Sequence, residues 1–176
     1  KWVADRTEHF LADAQGRDNV TAARLALDDA GKFLALSVEM VCDMGAYLSS
    51  FAPYIPYVGA VMLPGVYDIP AAFVRITAAH THTVPVDAYR GAGRPEAAYV
   101  IERLVDTAAR ELELAPDALR KRNFIKPKAM PYTTSTAKTY DTGEFAAHMA
   151  RAQELGDWKG FSKRLAQSKK EKKLRG

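Results

Sequence analysis

The stretch Asp87-Ala88-Tyr89-Arg90-Gly91-Ala92-Gly93-Arg94-Pro95-Glu96 joins two different sequence patterns. Before it, apolar residues alternate with the period of a β-strand, and after it they recur with the period of a helix. Gly91 and Gly93 permit the positive φ angles of a sharp turn, and Pro95 suits the first turn of a helix. The sequence therefore predicts a junction between strands and helices, with a helix that starts within residues 93–96.

The start of this helix has the features of an anion-binding site. Its free backbone N–H groups and the positive end of its dipole favour a ligand such as a phosphate. Glu96, however, occupies the third glycine position of the dinucleotide-binding fingerprint, and no Lys-Ser/Thr pair completes a Walker-type loop. On spacing alone, a ligand-binding loop and a tight turn without a ligand are equal alternatives.

Two strands are predicted over 20–28 and 34–44, joined by a turn at 29–32, with a third strand over 72–83. The predicted apolar face of the second strand contains Leu34, Leu36, Val38, Met40, Cys42 and Met44. This alternation is typical of an antiparallel sheet with one buried face. Cys42 lies on that face, so we expect it to pack in the core rather than act as a reactive thiol or a metal ligand.

Helical patterns dominate the second half of the chain. An apolar stripe of Ile101, Leu104, Val105, Ala108 and Leu112 follows the glycine loop. A second helix is predicted from Pro116 to about residue 123, and a fourth, basic helix from about Trp158. For the third helix, Asp141 and Glu144 have the spacing of a capping box, and Gly156 is its predicted end. The fold class is therefore α+β, with antiparallel strands in the N-terminal half and three to four helices in the C-terminal half.

Composition limits the class of protein. The chain has 48% apolar and 26% charged residues, which are ordinary values for a globular protein. A single cysteine excludes a disulfide framework within the chain and favours a reducing, cytoplasmic location. The apolar segment 51–74 contains four prolines, so we predict buried irregular chain with short helical turns and no membrane span.

Charge is concentrated at the C-terminal end. Residues 161–176 carry seven of the 25 basic residues and only one of the 21 acidic ones. We interpret them as a solvated basic linker or helix that leads to a missing remainder, with contact to nucleic acid or an anionic membrane as the alternative.

His80 and His82 would share one face of a strand, but a two-histidine metal site needs a further ligand. For the aromatic region of Tyr47, Tyr54, Tyr57 and Tyr67, core and subunit packing or a substrate funnel are both possible interpretations.

Beyond spacing, the sequence of the glycine loop resembles the molybdenum-binding large subunit of the xanthine dehydrogenase family. That family includes aldehyde oxidoreductases, isoquinoline oxidoreductase-like enzymes and aerobic carbon monoxide dehydrogenases. The string Ala88-Tyr89-Arg90-Gly91-Ala92-Gly93-Arg94 is the most specific part of the resemblance. The other similar segments are Lys1-Trp2-Val3-Ala4-Asp5-Arg6-Thr7-Glu8, Ala97-Ala98-Tyr99-Val100-Ile101-Glu102-Arg103, Leu119-Arg120-Lys121-Arg122-Asn123-Phe124-Ile125 and Tyr140-Asp141-Thr142-Gly143-Glu144-Phe145.

The resemblance implies a fragment of an oxidoreductase that hydroxylates an aldehyde or an N-heterocycle carbon, with water as oxygen donor. Its cofactor would be molybdenum-molybdopterin, in bacteria usually as the cytosine dinucleotide. Its partners would be an iron–sulfur small subunit and a FAD-binding medium subunit, assembled as a dimer of heterotrimers. No nucleic-acid partner is implied. Residues 1–160 would form part of the molybdopterin-binding domain. The upstream glycine-rich segment and the catalytic glutamate lie outside this chain, so we expect the isolated chain to be inactive and to bind no cofactor.

The same resemblance places the cofactor-binding residues at Arg90, Gly91, Ala92 and Gly93, with Ala92 also facing the substrate. No catalytic residue and no direct metal ligand are expected in this chain. Many relatives carry the name carbon monoxide dehydrogenase large chain, but the copper-containing enzymes have a cysteine where this chain has Gly91, so the soft ligand for Cu(I) is missing. The alternatives of a different class are a non-catalytic subunit-interaction module and, least favoured, a nucleic-acid-binding domain.

Overall fold

The main sheet contains three strands. In the computed structural model, which describes residues 1–175, β1 spans Asn19–Leu27, β2 spans Phe33–Asp43 and β3 spans Ala71–Ala79. The sheet order is β1-β2-β3, with β2 antiparallel to β1 and parallel to β3. The predicted hairpin is confirmed. The parallel pair was not predicted; it is possible because a long connection returns the chain to the same end of the sheet.

Within residues 1–175, six α-helices accompany this sheet, one face of which is exposed. Two short helices lie in the N-terminal half, α1 at Arg6–Ala12 and α2 at Tyr54–Ala60. The C-terminal half contains α3 at Arg94–Glu111, α4 at Pro116–Asn123, α5 at Phe145–Leu155 and α6 at Phe161–Lys170. Short strands β4 (Tyr132–Thr133) and β5 (Thr139–Tyr140) pair between α4 and α5. The α+β class is confirmed; counted over residues 1–175, the six α-helices include the four predicted regions and the two short N-terminal ones.

A β-bulge corrects the predicted apolar face of β2. The register shifts between Ala26 and Leu27, so that Leu27 pairs with Phe33 and Leu34 has no partner. The extra residue moves Phe33 into the core and leaves Leu34 exposed. Beyond the bulge the predicted alternation is confirmed, because Leu36, Val38, Met40, Cys42 and Met44 are all buried.

The prediction for Cys42 is also confirmed. Its side chain is fully buried in the core cluster under the sheet. Burial, together with the nearby negative charge of Glu96, raises the pKa of the thiol to about 11. The group therefore stays protonated near neutral pH, as expected of a core residue.

Two predicted boundaries are wrong. Strand β3 ends at Ala79 instead of residue 83, because the Thr81 N–H turns away to donate to the Gly45 carbonyl. Helix α5 has Glu144 as its N-cap and no side-chain cap, so Asp141 does not open it. A capping box with the same spacing occurs instead at Asp5 and Glu8, at the start of α1.

The start of α5 is set by aromatic packing. The Phe145 ring packs edge-on against Tyr140 in β5, with ring centroids 6.0 Å apart, and lies 6.4 Å from Phe124. The Tyr140 hydroxyl in turn donates to the Gly65 carbonyl. The turn between β5 and α5 is therefore fixed by tertiary contacts rather than by a local cap. The predicted end of α5 at Gly156 is confirmed.

A buried asparagine joins α4 to the sheet. Asn123, the last residue of α4, is completely buried. Its side-chain oxygen accepts from the Phe33 N–H at 2.9 Å, and its amide donates to the carbonyls of Gly31 at 2.8 Å and Leu119 at 3.0 Å. The side chain thus satisfies backbone groups of both the β1–β2 turn and the helix end.

The segment 51–74 and the basic C-terminal segment follow their predictions in part. Residues 51–70 contain α2 and a series of turns, and Leu63, Tyr67 and Ile69 are buried. Within residues 1–175, the structure contains no helix whose length and apolar character would let it cross a membrane.

The basic segment forms α6, preceded by a single 3-10 turn at Trp158–Gly160. Its role as a linker stays a prediction.

Candidate functional site

The glycine loop, residues 87–93, reverses the chain at the N-terminus of α3. Three successive residues adopt positive φ angles: Gly91 at 97°, Ala92 at 39° and Gly93 at 87°. The Ala92 N–H donates to the Tyr89 carbonyl at 2.8 Å, and the Arg94 N–H donates to the Gly91 carbonyl at 3.0 Å. Gly93 is the N-cap of α3, so the predicted helix start is confirmed.

Both glycines are required by close packing as well as by their φ angles. A Cβ on Gly93 would collide with the Ile55 carbonyl oxygen and lie 2.8 Å from the Gly59 Cα. A Cβ on Gly91 would lie 2.7 Å from two ring carbons of Pro95. The loop therefore rests directly on the backbone of α2, which fixes its position relative to the core.

Arg17, just before β1, makes the principal side-chain contacts with this loop. Its guanidinium Nη2 donates to the Arg90 carbonyl, and its Cζ lies 4.6 Å from the centroid of the Tyr89 ring. Its Nε lies 3.5 Å from a carboxylate oxygen of Glu96 in the first turn of α3. Sequence reasoning missed Arg17, because no local motif links it to a loop more than 70 residues away. The one local signal is the preceding Gly16, where a Cβ would lie 3.0 Å from the Tyr89 Cβ.

The Arg90 side chain is exposed. Within residues 1–175 its guanidinium forms neither a hydrogen bond to another residue nor an ion pair, and only its backbone carbonyl is bound, by Arg17. The guanidinium that braces the loop is that of Arg17, not that of Arg90. The Arg90 guanidinium and the exposed Tyr89 ring are consequently available to a ligand.

A cleft of about 850 Å³ lies between β1 and α3, next to the loop. Its polar lining residues are Arg17, Asn19, Thr21, Glu96, Tyr99, Arg103 and Thr107. Both carboxylate oxygens of Glu96 are buried at the base of this cleft, and neither has a hydrogen-bond partner in residues 1–175. A buried carboxylate without hydrogen bonds is costly, so Glu96 depends on its ion pair with Arg17.

Asp43 fixes the chain that enters the loop. One carboxylate oxygen accepts from the Gly45 N–H and the Thr81 hydroxyl, each at 2.7 Å, and the other accepts from the Thr83 hydroxyl at 2.8 Å. Partial burial raises the pKa of Asp43, but these hydrogen bonds outweigh it and lower the pKa below its ordinary value. The end of β2 is thereby tied to the segment that leads to the loop.

The histidine pair is not arranged as predicted. His80 and His82 follow the end of β3 and do not share a strand face, and the His80 ring nitrogen Nδ1 lies 3.0 Å from the Gly45 carbonyl oxygen. In the part of the chain that the structure describes, no group of three or more His, Cys, Asp or Glu side chains is placed to hold a metal ion.

The aromatic region is divided. Tyr67 is buried between Phe33 and Phe124, whereas Tyr47, Tyr54 and Tyr57 are exposed. Core packing therefore explains Tyr67. For the three exposed tyrosines, subunit packing and a substrate funnel stay as the two alternative interpretations.

Comparison with known proteins decides the family. Residues 1–124 match the family model described as the molybdopterin cofactor-binding domain. The chain belongs to this family. The match includes the sheet, the glycine loop and helices α3 and α4, and therefore covers all residues of the loop and the cleft described above.

Individual relatives agree with this assignment. The chain is 32% identical over 173 residues to the gamma subunit of a 6-hydroxypseudooxynicotine dehydrogenase complex from Paenarthrobacter nicotinovorans, covering 94% of this chain and 22% of the relative. It is 35% identical over 161 residues to a carbon monoxide dehydrogenase large chain from Hydrogenophaga pseudoflava, covering 90% and 20%.

A solved structure shows the same fold. Quinoline 2-oxidoreductase from Pseudomonas putida 86 superimposes with a TM-score of 0.89 at 31% identity, over 97% of this chain and 22% of that chain. The chain thus spans about a fifth of the length of the relatives that it matches. The fold and the cofactor-binding family are shared with molybdenum-dependent oxidoreductase large subunits.

Proposed function

We propose that this chain provides the loop that faces molybdopterin in the large subunit of a molybdenum hydroxylase. The substrate class is an aldehyde or an N-heterocycle, hydroxylated at carbon with water as the oxygen donor. One observation carries the proposal: Arg90 presents a guanidinium that has no partner within residues 1–175, at the start of a helix that no side chain of those residues caps.

The residues of the loop fit an anionic cofactor of this kind. The Arg90 guanidinium supplies positive charge and up to five N–H donors, and the N-terminus of α3 adds the positive end of its dipole. We assign cofactor binding to Arg90 and to the backbone of Gly91, Ala92 and Gly93. When bound, the molybdenum cofactor would supply the two-electron redox chemistry of hydroxylation. The small side chain of Ala92 would leave room for a flat substrate.

An N-heterocycle is the favoured substrate. The names of two relatives mention quinoline and a nicotine derivative. Carbon monoxide is disfavoured although carbon monoxide dehydrogenases are among the relatives, because Gly91 offers no thiolate for Cu(I). The cofactor form proposed is the cytosine dinucleotide. The partners proposed are an iron–sulfur subunit and a FAD-binding subunit in a cytoplasmic dimer of heterotrimers.

A subunit-interaction role is the second candidate. Large apolar side chains are exposed near the N-terminus and around α2: Trp2, Val3, Phe10, Leu11, Phe51, Tyr54 and Tyr57. Exposed apolar residues in such number are typical of surfaces that contact another part of an assembly. This role is compatible with cofactor binding, since one domain can do both. No specific contact in residues 1–175 favours nucleic-acid binding by the basic segment.

The proposal is tested with the intact large subunit in its complex. We expect one molybdenum per subunit and incorporation of ¹⁸O from labelled water into a hydroxylated N-heterocycle or a carboxylate product. The 176-residue chain alone should contain no molybdenum and show no turnover. An intact complex without molybdenum, or one whose product takes its oxygen from O₂, would refute the proposed reaction.

A further inference from the structure

Arg17 contacts three separate parts of the glycine-loop region: the Arg90 carbonyl, the Tyr89 ring and the Glu96 carboxylate. We propose that Arg17 is a positioning residue, which holds the loop in the conformation that presents the Arg90 side chain outward. The proposal rests on the proposed function in one respect, namely that this loop faces the cofactor. It assigns to Arg17 no contact with substrate or cofactor.

The chemistry of the guanidinium explains how one side chain can make all three contacts. A guanidinium is planar, carries five N–H donors and can stack on an aromatic ring while its edge donates hydrogen bonds. Here Nη2 donates to the Arg90 carbonyl, Nε faces Glu96 and Cζ lies over the Tyr89 ring. A lysine ammonium could reach one oxygen but could not stack and bridge in the same way.

Glu96 determines where the Arg17 side chain lies. The Glu96 carboxylate is buried and has no hydrogen-bond donor in residues 1–175, and Arg17 is the cation that pairs with it. Moving the guanidinium away would leave a buried, uncompensated negative charge. The pair therefore ties the first turn of α3 to the segment before β1, and the loop between them is held at the Arg90 carbonyl.

The backbone that carries Arg17 is itself fixed to the chain that enters the loop. The Gln15 N–H donates to the Pro85 carbonyl at 2.9 Å, and the Asp87 N–H donates to the Gln15 carbonyl at 2.8 Å. Arg17 has a φ angle of 62°, which is uncommon for a residue other than glycine. Such a conformation persists only where the surroundings hold it, and it turns the side chain toward Tyr89 and Glu96.

Trypsin provides a direct test, because the carbonyl that Arg17 binds belongs to the Arg90–Gly91 peptide bond. Arg94 precedes Pro95, which protects the next bond in the loop from cleavage. Cleavage of the 176-residue chain at Arg90 is followed by mass spectrometry and compared with cleavage in the basic segment of α6. A peptide bond in a folded loop is cleaved only when the loop opens locally. In Arg17→Met we therefore expect the ratio of the cleavage rate at Arg90–Gly91 to the cleavage rate in α6 to rise at least about tenfold.

The matched control is Arg24→Met, which removes an exposed arginine from β1 and should leave both rates unchanged. Arg17→Lys should lie between wild type and Arg17→Met. A wild-type ratio in Arg17→Met, or equal acceleration at all bonds, would overturn the positioning role. If Arg17→Met does not fold, Glu96→Gln serves instead: we expect at least about threefold faster cleavage at Arg90, and a wild-type ratio would overturn the proposal.

The cleavage test needs no cofactor, so its outcome is separate from that of the proposed function. In the intact subunit, Arg17→Met should lower molybdenum content at least about threefold, and Arg17→Lys should restore part of it. If Arg17→Met alters cleavage but the intact wild-type subunit contains no molybdenum, the role of Arg17 is supported and the proposed function is contradicted. Unaltered cleavage would contradict the role of Arg17 whatever the molybdenum content.

Discussion

Two of the three glutamates of helix α3 have opposite surroundings. Glu102, toward the middle of the helix, accepts hydrogen bonds from the Tyr67 hydroxyl at 2.8 Å and from the Arg120 Nε at 2.8 Å. The carboxylate of Glu96, in the first turn, accepts no hydrogen bond from residues 1–175, and one of its oxygens lies 3.5 Å from the Arg17 Nε. Glu96 is also the less exposed of the two, with 17% of its side chain accessible against 40% for Glu102, so the carboxylate without a hydrogen bond in residues 1–175 is the one better shielded from water.

The comparison separates a satisfied region from an open one. Around Glu102 and the buried Asn123, polar groups find their partners within the domain, as is usual in a stable core. Around Glu96, the loop contains three positive φ angles and an exposed arginine whose side chain has no partner in the part of the chain that the structure describes. Strain and unsatisfied groups of this kind concentrate at functional sites. The first region holds the fold, and the second is where we expect the ligand.

The largest effect on stability is expected from Gly93→Ala. The new Cβ would collide with the Ile55 carbonyl and with the backbone of Gly59, at a φ angle of 87°. Overpacking and backbone strain together should lower the free energy of unfolding by about 4 kcal/mol. The measurement is urea denaturation, with Gly65→Ala as the control. At Gly65 φ is also positive, but the atom nearest to a new Cβ would be 3.6 Å away. The control should therefore lose only about 1 kcal/mol of unfolding free energy. Equal losses in the two variants would show that the contact between the loop and α2 is unimportant.

In the satisfied region, Asn123→Ala should lower the free energy of unfolding by about 3 kcal/mol. The substitution leaves the Phe33 N–H and the Gly31 carbonyl without partners in a buried site. Asn19→Ala, on the rim of the cleft, is the matched control and should cost less than about 0.5 kcal/mol. Chemical denaturation of both variants decides the point, and a loss below about 1 kcal/mol for Asn123→Ala would contradict the described network.

A smaller, pH-dependent effect is expected from Asp43→Asn. Because the folded pKa of Asp43 lies below its unfolded value, its contribution to stability is complete above the unfolded pKa and is lost as the pH falls through the folded pKa. At pH 7 the variant should be less stable by about 1 kcal/mol, and the difference should shrink toward pH 2. Asp141→Asn, at an exposed position, is the matched control for the loss of a surface carboxylate. A difference that is constant with pH would contradict the hydrogen bonds assigned to Asp43.

Sequence patterns predicted those features that depend on local chemistry. The alternation in β2, the start of α3 at Gly93 and the end of α5 at Gly156 all follow from side-chain periodicity or from residues with special backbone preferences. The resemblance of the loop to a cofactor-binding family is likewise local, and the family is confirmed over residues 1–124.

Features that depend on tertiary contacts were not predicted. The spacing Asp-x-x-Glu occurs at Asp5 and at Asp141, yet it caps a helix only at Asp5, because aromatic packing sets the start of α5. The bulge that exposes Leu34 depends on pairing with β1. Arg17 reaches the loop only through the fold. The assignment of the cofactor-binding residues stays a prediction.

The most direct test of the open region is Arg90→Met in the intact large subunit. Because the Arg90 side chain has no partner in residues 1–175, the substitution should change the unfolding free energy of the 176-residue chain by less than about 0.5 kcal/mol. We predict that molybdenum content or turnover of the intact enzyme falls at least about tenfold, with Arg90→Lys also reduced and Arg24→Met unchanged. Normal molybdenum content and normal turnover in Arg90→Met would contradict a cofactor-facing loop.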